Sequence, residues 1–223
     1  MHNSFQPSKQ QSKLIICQDI SKKYDFTFLY SLKSDILAAF IFYGDLSNQD
    51  LSRHISYFKA QNINIILSTS PKHALELGAN GVHIENEWEN IKIIKKNYPE
   101  LVLGCGNIKN KHNAMQAAED GADYLFFGRL GYDKNKEPNL YNKSLCKWWL
   151  QIAQTPAILQ SGTCPNYIKE IILCEPEFIA IDNMIINSFD KHATIGYIEN
   201  TIKFGLMLSL IHISEPTRPE RIS

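Results

Sequence analysis

The chain has 223 residues, of which 44% are hydrophobic, and this is enough to fill the core of one domain of α/β-barrel size. Its 23 lysines and arginines balance its 23 aspartates and glutamates, so its net charge gives no reason to expect nucleic acid or an anionic membrane as a partner. No run of ~18 uninterrupted apolar residues occurs, and the first residues lack the apolar core of a signal peptide, so we expect no membrane span and no leader.

The cysteines argue for a reducing compartment. There are five of them, an odd number, and no pair has C-x-x-C spacing: Cys17, Cys105, Cys146, Cys164 and Cys174. This pattern favours reduced thiols in a cytoplasmic protein over a disulfide framework or a zinc site.

Both ends of the chain are predicted to lie outside the folded domain. Residues 1–12 are polar, and we predict a disordered tail there. The string "LSLIHISEPTR", residues 208–218, resembles the translation of a common transposon-end sequencing adapter. We therefore expect one domain over residues 13–207 and a non-native tail over 208–223. The alternative is an ordinary apolar helix end with a polar tail.

Short apolar runs recur along this domain. They are rich in Ile, Leu, Val and Phe, and most lack the alternation of a half-exposed strand, as expected when the strands of a parallel sheet are buried on both faces. In chain order, the eight predicted strands are residues 13–18, 36–44, 63–69, 81–84, 101–106, 123–129, 156–162 and 178–183.

Helix-period segments lie between these runs. Apolar residues three and four apart predict helices with buried faces formed by Leu51, Ile55 and Phe58, by Trp88, Ile91 and Ile94, and by Leu145, Trp149 and Ile152. A further helix is predicted to be capped at its C-terminus by Gly121. Repeated strand–helix alternation predicts an α/β fold of the (β/α)8 TIM-barrel type with a single domain. A doubly wound open sheet is the alternative.

The residues that follow the strands are the candidates for function, because TIM barrels place their chemistry in the loops after the strands. The candidates after the sixth, seventh and eighth strands are Gly128, Arg129 and Lys136, then Ser161 and Gly162, then Asp182 and Asn183. Glycine lets the backbone approach a ligand closely, free N–H groups bind phosphate oxygens, and arginine offers two donors at once. We predict that they bind a phosphorylated small molecule under a lid at residues 128–136. Lys134, in the same loop, is interpreted as a solvated surface charge.

Three of the runs resemble motifs of the thiamine phosphate synthase family, whose members are (β/α)8 barrels. The segments "LELGANGVHI", "GADYLFFG" and "TPAILQSGT" resemble the family's fourth, sixth and seventh strands and occur in the same order. The variant "DYLFFGRLGYD" looks most like a divergent alphaproteobacterial branch. The resemblance covers residues 13–206. It implies a transferase of thiamine biosynthesis that joins hydroxymethylpyrimidine diphosphate to a thiazole phosphate and releases pyrophosphate, with Mg²⁺ as cofactor.

The chain departs from this family at the positions that bind the diphosphate and the metal. The two family aspartates that bind Mg²⁺ fall on Thr69 and Trp88, and the family's serine after the fifth strand falls on Gly106. The lysine of the family's lid is kept as Lys136, and one glycine of the seventh-strand pair is kept as Gly162. The resemblance therefore implies that the thiazole-phosphate half of the site survives better than the diphosphate half, with Gly106 facing the ligand.

Few carboxylates remain as candidate ligands for Mg²⁺. Glu85 and Glu87 follow the fourth strand, and Asp45 follows the second. Mg²⁺ prefers carboxylate oxygens, so Glu85 and Glu87 are the predicted metal ligands. The alternative is that both are solvated acids at the N-terminus of a helix, where negative charge is favoured.

Two other functions stay open. One is a non-catalytic barrel that senses thiazole phosphate or thiamine phosphate. The other is an isomerase resembling the thiazole tautomerases, although their general base falls on Arg129, which does not release its proton near neutral pH. His83 is interpreted as a core histidine. Of the adjacent Trp148 and Trp149, only one can face the core, and the other could mark a homo-oligomer interface or pack under a loop.

Overall fold

A computed structural model describes residues 11–21, 26–47, 50–85 and 90–212. Within these ranges, the strands are β1 Lys13–Asp19, β2 Leu37–Tyr43, β3 Asn64–Leu67, β4 Gly81–Glu85, β5 Val102–Gly106, β6 Tyr124–Phe127, β7 Ala157–Gln160 and β8 Phe178–Ile181. Each strand pairs in parallel with the next, and β8 pairs in parallel with β1, so the sheet is a closed barrel. The predicted single-domain (β/α)8 fold is confirmed, and the open sheet is excluded.

Helices follow the strands around the outside of the barrel. They are α1 Thr27–Ser31, α2 Leu51–Ala60, α3 Pro71–Glu76, α4 Ile91–Asn97, α5 Lys111–Glu119, α6 Leu140–Ile152, α7 Ile168–Ile172, α8 Asn183–Ile186 and α9 Lys191–His212. A short 3₁₀ turn, Pro165–Tyr167, precedes α7. Each connection returns the chain to the N-terminal end of the barrel, so the loops that follow the strands gather at one mouth.

Two apolar layers explain why the strand segments are almost continuously hydrophobic. One layer, which includes Ile15, Ile41 and Phe126, fills the inside of the barrel. The other layer, which includes Ile16 and Phe40, packs beneath the surrounding helices. Alternate residues of a strand point to opposite faces, and here both faces are buried.

The helix predictions were mostly correct. Leu51, Ile55 and Phe58 are buried on α2, as expected. On α6 the prediction was wrong for Ile152, which is 53% exposed. That helix buries Leu145, Cys146 and Trp149, and Ile152 is its last residue, beyond the buried part of the face.

The predictions for α4 and α5 agree with the structure over the described residues. On α4, Ile91 is buried and Ile94 is partly buried, whereas Trp88 lies outside the described residues. Gly121 follows the end of α5 with φ +104, a backbone conformation that favours glycine, so the predicted C-terminal cap is confirmed.

The tryptophan pair divides as expected. Trp149 is buried and donates a hydrogen bond from Nε1 to the carbonyl of Thr155 at 2.9 Å. Trp148 is half-buried against the outer apolar layer, and the Lys111 ammonium lies 4.8 Å from its ring centroid. Trp148 therefore has packing partners within its own chain, and the predicted homo-oligomer stays a prediction.

The ends of the chain are described only in part. The backbone of α9 continues to His212, across the domain boundary predicted at residue 207. Residues 1–10 and 213–223 lie outside the described ranges, so most of both predicted tails is untested. No helix in the described part of the chain is long and apolar enough to cross a membrane. All five cysteines are described, and each is a free thiol.

Candidate functional site

A polar cavity of about 280 Å³ opens at the mouth of the barrel, beside the ends of β5, β6 and β7. Three cationic side chains line it: Lys109, Arg129 and Lys134. Side-chain amides contribute much of the remaining wall: Asn107, Asn135, Asn139, Asn142 and Gln160. Asp133 and Glu137 are its acidic members. Cations and amide donors around a small cavity suit an anionic ligand of the size of a phosphate ester.

The backbone of Arg129 is held by a glutamine from the next strand. The Arg129 N–H donates to Oε1 of Gln160 at 2.8 Å, and Nε2 of Gln160 donates to the carbonyl of Arg129 at 3.0 Å. A Cβ atom at Gly128 would lie 2.4 Å from Oε1 of Gln160. The glycine at the end of β6 therefore makes room for this reciprocal pair.

The guanidinium of Arg129 packs between an aromatic ring and a carboxylate. Its Cζ lies 3.5 Å from the ring centroid of Tyr132, and its Nε lies 3.8 Å from Oε2 of Glu85. The other oxygen of Glu85 accepts the N–H of Leu130 at 2.8 Å. Because both of its oxygens face loop groups, Glu85 positions Arg129 and the start of the loop.

Residues that follow β8 hold the same loop from the other side. Asp182 is buried and accepts hydrogen bonds from the hydroxyl of Tyr43 at 2.9 Å and from the N–H of Gly131 at 2.9 Å. The side chain of Asn183 donates to the carbonyl of Asp133 at 2.7 Å. Gly131 has φ +73, a conformation that disfavours other residues. The loop between β6 and α6 is thus fixed by contacts with two residues about 50 positions further along the chain, just after β8.

Asp133 is the most deeply buried acid in the cavity wall. It is 8% exposed, and its Oδ2 has no hydrogen-bond partner among the described residues. Burial raises the pKa of this carboxyl to about 7, and the neighbouring Asp182 adds to the rise. Burial also raises the pKa of Asp182, to about 6, although its hydrogen bonds from Gly131 and Tyr43 favour the ionised form.

His83 lies in the barrel interior, as predicted for a core histidine. It is 1% exposed, its Nδ1 lies 3.0 Å from the hydroxyl of Tyr124, and its ring packs edge-on against Phe126. A Cβ atom at Gly106 would lie 2.4 Å from Nε2 of His83. The residue that replaces the family's serine therefore accommodates His83.

The predicted phosphate-binding backbone after β7 contacts the lid loop. The N–H of Thr163 donates to the carbonyl of Asn135 at 2.8 Å, and the N–H of Cys164 donates to the carbonyl of Lys136 at 3.3 Å. A Cβ atom at Gly162 would lie 2.2 Å from that carbonyl oxygen of Lys136. The absence of a side chain at Gly162 therefore allows the lid to pack closely here.

The cavity unites only some of the predicted site residues. Gly128, Arg129 and Ser161 line it. Outside its lining lie Lys136, Gly162, Gly106, Asp182, Asn183 and Glu85. Glu87 is outside the described residues.

Several lining residues were missed by the sequence analysis. Lys109, Asp133 and Gln160 were not singled out, and Lys134, interpreted as a surface charge, also lines the cavity. Lys109 comes three residues after the end of β5, so its position behind a strand was a usable signal. Asp133 has no such signal, because contacts from the residues that follow β8 set the path of its loop.

The described acidic side chains do not form a site for Mg²⁺. In the part of the chain that the structure describes, no group of three His, Cys, Asp or Glu side chains could hold a metal ion. Glu85 faces Leu130 and Arg129, and Asp45 is exposed and accepts the N–H of Ser47 at 3.0 Å. These residues do not fit the hexa-coordinate oxygen site that Mg²⁺ demands.

Known proteins resemble this chain over most of the barrel. The family model described as thiamine monophosphate synthase matches residues 49–185. A thiamine-phosphate synthase of Erythrobacter litoralis is 25% identical over 147 residues, which are 63% of this chain and 68% of that protein. A thiamine-phosphate synthase of Pelagibacter ubique is 25% identical over 191 residues, which are 74% of this chain and 92% of that protein. That of Rhodospirillum centenum is 25% identical over 125 residues, 55% and 60% of the two chains.

Solved structures share the fold. A thiamine phosphate pyrophosphorylase from Pyrococcus furiosus superposes with a TM-score of 0.70 at 16% identity and covers 89% of this chain and 98% of its own. A 3-hexulose-6-phosphate synthase from Salmonella typhimurium gives 0.63 at 12% identity, over 86% of this chain and 99% of its own. Structural likeness at such identities shows the fold alone. The family match covers more than half of the sequence, and the chain therefore belongs to the thiamine monophosphate synthase family.

Proposed function

We propose that the protein is a thiamine-phosphate-synthase-type transferase of thiamine biosynthesis that binds a thiazole phosphate in the cavity at the barrel mouth. The observation that carries the proposal is the cavity wall, in which Lys109, Arg129 and Lys134 surround about 280 Å³. A phosphate dianion needs neighbouring cations and N–H donors to replace its hydration shell. Membership of the family supports a role in thiamine biosynthesis, and the cationic cavity supports binding of a phosphorylated substrate.

The protein's contribution to this reaction is positioning and charge. Arg129 presents a guanidinium that is held by Tyr132 and Glu85, so little side-chain entropy is lost when it binds a phosphate. Lys109, whose Nζ donates to Oδ1 of Asn107, and Lys134, whose Nζ lies 5.9 Å from the ring centroid of Tyr132, add further positive charge. In the proposed condensation, a C–N bond forms between the two heterocycles, and pyrophosphate leaves with the electrons of the broken C–O bond. We assign no step to Mg²⁺, because the described residues do not fit it.

A binding experiment tests the cavity assignment. Arg129→Gln and Lys134→Gln should each raise the Kd for thiazole phosphate by about tenfold or more, because each removes a charge-assisted contact of ~1.5–3 kcal/mol. Lys96→Gln is the control, since Lys96 is an exposed lysine in the last turn of α4, outside the cavity lining. Titration calorimetry measures all three variants. Wild-type affinity in both cavity variants would refute the assignment.

A synthesis assay tests the transferase activity. Protein is mixed with hydroxymethylpyrimidine diphosphate and thiazole phosphate, with Mg²⁺ or with a chelator, and thiamine phosphate is read by fluorescence after oxidation. We expect enzyme-dependent product that is reduced in Arg129→Gln. The absence of product under both conditions would refute the transferase.

A non-catalytic ligand-binding barrel is the second candidate. It is favoured by one observation: Glu85, the described one of the two predicted metal ligands, faces Arg129 and Leu130. Such a protein would bind thiazole phosphate or thiamine phosphate in the same cavity without forming product. Tight binding together with no synthesis would establish this alternative, whereas any enzyme-dependent product would exclude it.

A further inference from the structure

We propose that the cavity takes up one proton when it binds a phosphate-bearing ligand, and that Asp133 is the group that holds this proton. The inference rests on the proposed function only in requiring that a dianionic ligand occupies the cavity. Neither the sequence motifs nor the related proteins assign a role to Asp133. The ligand class is a doubly charged oxyanion, alone or as part of a small molecule.

The geometry places an acid where an anion is expected. Asp133 lines the same cavity as Arg129 and Lys134 and lies between them in the loop. Its side chain is 8% exposed, and its Oδ2 has no hydrogen-bond partner in the described part of the chain. Its backbone carbonyl is fixed by Asn183, so the residue is held in the wall. An ionised carboxylate here would repel a bound phosphate, whereas a neutral carboxyl group would not.

The groups around Asp133 decide which acid carries the proton. From β8 comes Asp182, whose ionised form is favoured by hydrogen bonds from Tyr43 and Gly131. From β1 comes the buried thiol of Cys17, whose pKa is raised well above its ordinary value by burial and by Asp182 and Asp133. The Oδ2 of Asp133 has no such hydrogen-bond donor among the described residues. Asp133 is therefore the last of these carboxyl groups to ionise as the pH rises.

A bound dianion should raise the pKa of Asp133 further. Burial raises the pKa of Asp133 to about 7 in the empty cavity, and Asp182 adds to the rise. Further negative charge close by disfavours ionisation in the same direction, so the pKa of Asp133 rises again in the complex. Above pH 7, and until the pH passes the pKa of Asp133 in the complex, binding must then draw up to one proton from solvent. By linkage, the Kd rises by up to roughly tenfold for each pH unit in this range.

The experiment is calorimetric titration of the full chain at pH 7, 8 and 9. The probes are thiazole phosphate and sulfate, because sulfate keeps its charge throughout and a phosphate monoester is almost fully ionised above pH 7. Two buffers of different ionisation enthalpy give the number of protons taken up. We expect uptake approaching one proton and a Kd that rises with pH.

Two variants at Asp133 should abolish the coupling. Asp133→Asn keeps the shape and stays neutral, so its Kd should change less than about twofold between pH 7 and pH 9 and should be lower than that of the wild type at pH 9. Asp133→Ser, which is smaller and also neutral, should lose the proton uptake in the same way. Glu100→Gln is the matched control, because it removes an exposed acid just before β5, at the opposite end of the barrel.

The possible failures are separate. Unchanged proton uptake in both Asp133 variants would overturn the inference. Weaker ligand binding by both variants than by the wild type at every pH would also overturn it, since Asp133 would then contact the ligand as an ionised acceptor. Proton-coupled binding of sulfate without binding of thiazole phosphate would refute the proposed function and leave the inference standing. The absence of binding by any of the probes would overturn both.

Discussion

Asp133 links the chemistry of the cavity to the stability of the fold. Its pKa is raised from the ordinary 3.8 to about 7, so the native state holds this proton more tightly than the unfolded state. Stability from this group is fully present below about pH 4 and is lost as the pH rises towards 7. Burial of the carboxyl therefore destabilises the protein at the pH where a ligand would bind.

Because the ionised carboxylate destabilises the fold, a neutral residue at position 133 should stabilise it. Asp133→Asn should raise the melting temperature relative to the wild type at pH 8, and the gain should shrink at pH 5, where the wild-type carboxyl is already neutral. Thermal unfolding of both proteins at the two pH values measures the difference. The variant is compared with the wild type at each pH, because Asp182, with a pKa raised to about 6, makes the stability of both proteins depend on pH. An equal gain at pH 5 and pH 8 would contradict the assigned ionisation.

At the scale of the elements, the strands were predictable and the loop between β6 and α6 was only partly so. Buried strands are continuous apolar runs, and all eight were found because both of their faces lie in apolar layers. Arg129 and Ser161 were found because they directly follow strands. Asp133 was missed because its position depends on Asp182 and Asn183, whose proximity to the loop has no signal in local sequence.

The loop also depends on its contact with the turn that follows β7. Gly162→Ala would place a Cβ atom 2.2 Å from the backbone oxygen of Lys136, so the loop must move. We expect a loss of about 1–3 kcal/mol in the free energy of unfolding, as for other overpacked sites, together with weaker binding of thiazole phosphate. Denaturant unfolding and calorimetric titration measure these effects.

Gly196→Ala on α9 is the control for that substitution. A Cβ atom there would meet nothing within 4 Å, and alanine favours a helix over glycine by up to about 1 kcal/mol. This variant should therefore be as stable as the wild type or more stable, with unchanged ligand affinity. If Gly162→Ala behaved like Gly196→Ala, the close packing of the loop on the turn would not matter for the site.

At the scale of the whole molecule, closure of the barrel brings distant segments to one mouth. β8 pairs with β1, and the residues after β8 then reach across the mouth to the loop that follows β6. The last helix, α9, packs against α7 and α8 beside these residues. The site is therefore as dependent on the last strand and helix as on the loops that carry its cations.

The last prediction concerns how much of α9 the barrel needs. Among the α9 side chains that the structure describes, Ile195, Ile198, Thr201 and Ile202 are buried, and a Cβ atom at Gly205 would lie 3.3 Å from Ile172 of α7. Deletion of residues 208–223 keeps all of these contacts, so we expect a melting temperature within ~2 °C of the full chain. Deletion from residue 200 onward is the control, because it removes Thr201 and Ile202 and should destabilise the barrel clearly. A fall of more than about 4 °C in the shorter deletion, equivalent to ~1 kcal/mol or more, would show that residues beyond 207 pack on the domain.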